Sequence, residues 1–231
     1  MWLVAGVIFG TSFWLVAGAA FHGPLLVAWK GAGVALLAVH ALAFAIAQPR
    51  VRRDAALLAI VMACGAGGDM AVERSLAVGA GLFLIGHVVA IALYAINRRS
   101  PVQTGDLVMA VAIVTIVPCF AWMLPPERSI AATVAPYAAG LAGMTAMAWL
   151  SKFPRSRVAF GALLFAASDL LIFARMGPLA GSLIPRLLVW PLYFGGQFLI
   201  CTGVLAGLSR RQLQPATGNL IRLAWSRTSG P

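Results

Sequence analysis

Two carboxylates stand inside long apolar stretches of this chain: Asp69, closing Cys64-Gly65-Ala66-Gly67-Gly68-Asp69, and Asp169, which follows Ser168. An ionisable side chain in such a setting is costly and calls for a partner, a water-filled cavity or a function. Lys30, His87 and, more faintly, His40 are embedded in the same way, while Tyr193 and Gln197 add hydrogen-bonding groups. Two carboxyl groups sharing a low-dielectric cavity do not ionise alike, so one serves as acid while the other stays ionised as base. The small residues Gly68 and Ser168 would let a backbone or a ligand headgroup come close to them. His87 follows Gly86 and has no second His or Cys at i+3 or i+4, which fits a hydrogen bond across a tight helix contact better than metal ligation. No metal or cofactor is expected. Cys64, Cys119 and Cys201 lie in apolar runs without paired spacing and read as small core residues.

The elements that position these groups follow from composition. Of 231 residues, 61% are hydrophobic and 10% charged, and the mean hydropathy is +0.94. Soluble domains are about 45–50% apolar, so a water-soluble globule is excluded. At about 20 residues per span and short loops, the length allows roughly eight or nine crossings. Apolar runs between charged or Pro/Gly-rich breaks predict spans near 2–21, 25–46, 55–72, 76–96, 106–124, 131–150, 158–174 and 186–208. The runs lack the alternation of a membrane barrel. The expected fold is all-α: an eight-helix transmembrane bundle over 1–208 and a basic cytoplasmic tail over 209–231, lying on anionic lipid. Ala17-Gly18-Ala19 imitates a signal-peptide cleavage site, but Met1–Phe21 has no charged n-region and is long enough to span, so it is expected to be the first membrane helix.

Seventeen Lys+Arg against six Asp+Glu give a net charge of +11. In a membrane chain that excess reports orientation rather than nucleic-acid binding. Arg50, Arg52, Arg53, Arg98, Arg99, Lys152, Arg155, Arg157, Arg210, Arg211, Arg222 and Arg227 fall on one side of the expected bundle, against Arg74, Arg128, Arg175 and Arg186 on the other. The first side is then cytoplasmic, with both termini inside. No cleavable leader is read, which points to a bacterial inner membrane. At 1.5 Å rise per residue, Asp69 lies roughly 5 Å and Asp169 and Lys30 roughly 8 Å below the outer surface. Tyr193, Gln197 and His87 lie deeper, at about 10–17 Å. Convergence at one depth predicts a polar pocket opening in the outer leaflet. Lys30 is expected to neutralise an aspartate, meet a lipid phosphate or snorkel to the headgroups. Tyr137, Trp122 and Trp190 read by position as interface anchors. Asp54, Glu73, Arg74, Glu127 and Arg128 read as solvated loop residues. Gly68-Asp69 with Phe83 and Gly86-His87 is echoed by Ser168-Asp169 with Phe194 and Gly196-Gln197, as a parallel repeat of four helices plus four would produce.

The chain resembles the YhhN family of lysoplasmalogenase-like integral membrane proteins. The likeness rests on Lys30, Cys64 to Asp69, Gly81-Leu82-Phe83-Leu84-Ile85-Gly86-His87, Pro136-Tyr137, Gly161-Ala162-Leu163-Leu164-Phe165 with Ser168-Asp169, and Tyr193 with Gln197-Phe198-Leu199-Ile200. Their order covers about residues 25 to 205. An aromatic often expected soon after the family's His is replaced here by Val88-Val89, with Tyr94 later. The resemblance implies hydrolysis of the vinyl-ether bond of a lysoplasmalogen to a fatty aldehyde and a glycerophospho-alcohol, with Asp69 and Asp169 as the catalytic pair. Lys30, His87, Tyr137, Ser168, Tyr193 and Gln197 are then candidates for binding the lysophospholipid. The expected partners are that substrate and membrane lipid; no oligomeric state is read. The rival expectation is a transporter or binding protein for a lipid or small amphiphile, but well-embedded prolines are read only at Pro118 and Pro191, which do not correspond as transporter helix breaks would. A scaffold with no ligand would leave the embedded polar level unexplained.

Overall fold

The structure is a computed structural model that describes residues 1–16 and 23–228. The Ala17-Gly18-Ala19 triplet and His22 lie outside the described residues. Eight α-helices follow one another among those that are described: α1 (Trp2–Val16), α2 (Pro24–Ala47), α3 (Arg52–Ala71), α4 (Leu76–Ile96), α5 (Thr104–Met123), α6 (Arg128–Leu150), α7 (Val158–Ala174) and α8 (Leu183–Thr228). A single 3-10 turn, Pro49–Val51, joins α2 to α3. Punctuation in the sequence sets the boundaries. Pro24 opens α2 at a position whose amide has no helical acceptor to lose, and Ser75 caps α4 by accepting the Val78 amide. The helix ends fall within a few residues of the expected runs. α8 differs: it continues past Leu208 without a break, so the segment expected as a tail is helical through Thr228.

Five segments are long and apolar enough to cross a membrane: Pro24–Ala47, Pro49–Ala71, Leu76–Ile96, Thr104–Met123 and Leu183–Gln212. Trp2–Val16, Val134–Leu150 and Val158–Ala174 are apolar but shorter. Successive helices pack as α1 on α2, α2 on α3, α3 on α4, α5 on α6, α6 on α7 and α7 on α8. α4 also lies against α6, and α8 returns to touch α1, α2 and α3. That closure sets both α3 and α7 against α8.

Glycine permits two close crossings between helices. A Cβ on Gly33 of α2 would stand 2.9 Å from the Gly10 Cα of α1, and one on Gly196 of α8 only 2.6 Å from the Gly161 carbonyl oxygen of α7. Without a hydrophobic drive between helices in lipid, such backbone-to-backbone approach is what holds them together.

One end of the bundle is stitched by polar groups. Asp54, read from the sequence as a solvated loop residue, lies in the first turn of α3 and is 8% exposed. It accepts hydrogen bonds from Asn97 Nδ2 at 3.0 Å and Arg53 Nε at 3.3 Å, and pairs with Arg211 at 3.8 Å. Arg211 also donates to the Asn97 side-chain oxygen and lies over the Phe153 ring. Buried Asp106 is held by Arg155 and, at 3.9 Å, by Arg99. Between the loops, the Lys152 amide donates to the Asn97 carbonyl at 2.7 Å and the Arg99 amide to that of Leu150 at 3.0 Å. These contacts gather Arg53, Arg99, Lys152, Arg155 and Arg211 on one face, in agreement with the grouping of basic residues expected from the loops.

Candidate functional site

Asp69 closes α3 at a point where Gly68 leaves room: a Cβ there would stand 2.7 Å from the Phe83 ring. The close neighbour that Gly68 admits is therefore an aromatic ring from α4, not a backbone. Asp69 is 4% exposed and accepts the Tyr193 hydroxyl of α8 at 2.7 Å. Gln197, one turn further along α8, donates to the Tyr193 oxygen at 3.5 Å. Asp169 is 6% exposed and accepts the Tyr137 hydroxyl of α6 at 2.5 Å. Each carboxylate thus has its own tyrosine, supplied by a helix other than its own.

The two pairs meet through rings. His87 has its ring centroid 5.4 Å from that of Tyr137 and 5.3 Å from Phe165, and Phe165 lies 5.2 Å from Tyr193. Phe83 touches both Phe165 and Tyr193, at 6.1 and 5.8 Å. A continuous edge-to-face chain, Tyr193–Phe165–His87–Tyr137, therefore joins Asp69 to Asp169, geometry favoured by the ring quadrupoles. The two carboxylates lie within electrostatic reach of one another. Phe165 is the hub of this arrangement. Its motif was legible in the sequence, but no property of a lone phenylalanine marked it as the contact between two acid sites.

Beside the rings is a cavity with about 20 Å³ of room for the centre of a water molecule, enough to hold one. His87 and Gln197 line it together with Gly65, Gly86, Ala90 and Tyr94. His87 is 4% exposed, and among the described residues its Nε2 has no hydrogen-bond partner. An unpaired polar atom at a cavity wall large enough for water is a seat for a polar ligand atom. From His87 the cavity follows α4 past Ala90 to Tyr94, between apolar walls that include Val61, Met144 and Ile200. No three of His, Cys, Asp and Glu among the described residues are grouped to hold a metal ion.

Several expectations are corrected. Lys30 bonds Glu73 Oε1 at 2.6 Å rather than an aspartate, and Glu73 is a paired residue at the rim rather than a free loop charge. Lys30 remains close enough to Asp69 to act on it through space. Ser168 does admit the close backbone approach expected there: it donates to the Val189 carbonyl of α8 at 2.9 Å and fastens α7 to α8. Trp190, expected at the membrane interface, is buried: its indole donates to the Gly10 carbonyl at 2.7 Å and its ring lies 4.5 Å from Phe13 and 5.5 Å from Tyr193. Tyr137 likewise serves Asp169 rather than the interface. Pro136 lies within α6, immediately before Tyr137, and is an embedded proline the sequence reading did not count.

The model of the YhhN family matches residues 25–204, a stretch that contains every site residue named above. The chain belongs to the YhhN family. No curated protein and no solved structure matches it. In this YhhN protein the matched region begins at α2 and ends within α8, so both Asp–Tyr pairs and the cavity fall inside it.

Proposed function

We propose that this YhhN protein is an integral membrane hydrolase, with all eight helices in the bilayer and the arginine-rich face inward by the positive-inside rule. Its substrate is a lysoplasmalogen-like lysolipid, whose vinyl-ether bond it cleaves to a fatty aldehyde and a glycerophospho-alcohol. The observation that carries the reading is the pair of buried carboxylates, each hydrogen-bonded to one tyrosine and joined by one chain of rings. One carboxyl group donates its proton to the alkenyl β-carbon, giving an oxocarbenium ion that the other, ionised carboxylate stabilises. That carboxylate then accepts a proton from the water that adds to the cation, and the hemiacetal collapses to aldehyde and alcohol. The first group ends deprotonated and the second protonated, so a proton passes between them before the next turnover. Paired carboxylates play the same parts in glycoside hydrolysis. The two are assigned jointly, since coupled acids titrate as a pair.

The remaining groups have places in this scheme. His87 and Gln197 face the cavity and hold the water. Tyr137 and Tyr193 orient the carboxylates. The apolar track from His87 to Tyr94 takes the start of the alkenyl chain. Lys30, at the rim with Glu73, stands where a phosphate headgroup would arrive. The space beside the rings fits a water and not a lipid, so entry requires Phe83 and its neighbours to move aside. A four-plus-four repeat gains support from Gly86 and Gly196, which pack on α3 and α7 respectively, each just before a residue that lines the cavity.

Protein purified in detergent and incubated with alkenyl and acyl lysolipids tests the reading. Aldehyde released from the alkenyl substrate alone is the expected result. Release of fatty acid from the acyl substrate, or no turnover of either, would overturn it. A transporter would produce neither product while still moving lipid between leaflets of a vesicle.

A further inference from the structure

At the stitched, arginine-rich end, the turn between α2 and α3 and the middle of α8 enclose a cleft of about 510 Å³. Arg50, Arg53 and Arg211 line it, and Asp54 is the one carboxylate among its walls. Asp54 is already occupied by Asn97, Arg53 Nε and Arg211, so the guanidiniums exceed the negative charge by two. Gln212 Nε2 is buried beside them and has no partner among the described residues. A cleft with that surplus of charge and unused N–H donors is complementary to a phosphate, which guanidiniums bind through paired hydrogen bonds.

The location narrows the source. Pro49 of the cleft lies two residues past the end of α2, the first of two membrane-competent segments joined by this turn, so the cleft stands at the level of lipid headgroups. Leu42 and Ile46, one turn apart on α2 and leading away from the cleft, are 49% and 63% exposed and offer an apolar surface for an acyl chain. We infer that the cleft bounded by Arg50, Arg53, Arg211 and Gln212 binds the phosphodiester headgroup of an anionic phospholipid, a site separate from the one that holds Asp69 and Asp169. The inference stands independently of the proposed hydrolase activity.

The test measures the thermal midpoint of the whole protein in detergent against added phosphatidylglycerol, phosphatidylcholine or inorganic phosphate. A ligand that binds only the folded state raises that midpoint. Phosphatidylglycerol is expected to raise it and phosphatidylcholine to leave it nearly unchanged. The double variant Arg50→Gln/Arg53→Gln, which spares Arg211 and its clamp on Asp54, is expected to weaken phosphatidylglycerol binding by at least about tenfold, given the worth of each arginine near an anionic headgroup. Arg98→Gln/Arg157→Gln removes equal charge from exposed positions outside the cleft and is expected to leave binding intact. Equal losses in the two double variants would reduce the effect to general charge and overturn the site. Inorganic phosphate matching phosphatidylglycerol would overturn the lipid as its occupant. If the Gln pair fails to fold, Arg50→Lys/Arg53→Lys tests the same point, because loss of the paired geometry at retained charge still weakens binding; unchanged binding there counts against the site.

Discussion

At the scale of single residues, the tyrosines discriminate best between a catalytic and a structural role for the aspartates. Asp69→Asn and Asp169→Asn are each expected to lower turnover by about 10²–10⁴, the usual worth of a general acid or base, while circular dichroism and the thermal midpoint stay near the parent's. An Asp69→Asn protein with full activity would remove the pair mechanism. Tyr137→Phe and Tyr193→Phe delete one hydrogen bond each to a carboxylate, worth about 1.5–3 kcal/mol. They should lower kcat by about ten- to a hundredfold with smaller changes in KM, since the tyrosines orient the acids and do not form the chain-binding wall. The embedded acids were legible in the sequence because a carboxylate inside an apolar run is rare enough to announce itself. Tyr193 was legible beside them as an embedded hydrogen-bonding group, but by position Tyr137 and Trp190 read as interface residues, and only the packing of α6 and α8 turns them inward. Lys30 was legible as an embedded cation and Glu73 as a loop residue, but nothing local shows that the turn after α3 brings Glu73 onto Lys30 of α2.

At the scale of the helix, the sequence marked most boundaries through Pro, Gly and charge, and α4 and α7 coincide with the expected 76–96 and 158–174. The order of packing had no such signal. That α4 lies on α6 and that α8 returns to α1, α2 and α3 follows from side-chain fit between distant segments. The Gly161–Gly196 crossing gives this scale its prediction. Gly161→Ala places a Cβ 2.8 Å from the Gly196 carbonyl oxygen, and Gly196→Ala one at 2.6 Å from that of Gly161. Backbone rather than a movable side chain is in the way, so each should cost about 1–3 kcal/mol and lower the thermal midpoint. Activity should fall as well, because Tyr193 and Asp169 sit on the two helices forced apart. Gly81→Ala, where nothing lies within 4 Å of the added carbon, is the matched control and should change neither.

At the scale of the whole molecule, the two polar regions have different jobs. The upper one is sparse, with single hydrogen bonds to each acid and an unpaired His87 nitrogen; the lower one is dense, with two carboxylates each gripped by several donors. Asp54→Ala should accordingly lower stability by about 1–3 kcal/mol, less than for a fully buried pair because Arg53 is exposed and Arg211 partly so. It should leave kcat per folded molecule unchanged, and thermal unfolding alongside a turnover assay checks both. The sequence put Arg53, Arg99, Arg155 and Arg211 on one side, where these contacts gather them, yet took Asp54 for a solvated charge, because nothing local shows that Asn97 and Arg211 converge on it from α4 and α8. Between Tyr193 and Arg211, α8 has no proline, and those eighteen steps make a stiff shaft about 27 Å long. A roll of this shaft at Arg211 would meet no hinge before Tyr193, whose hydroxyl Asp69 accepts, so the two polar regions share one rigid lever.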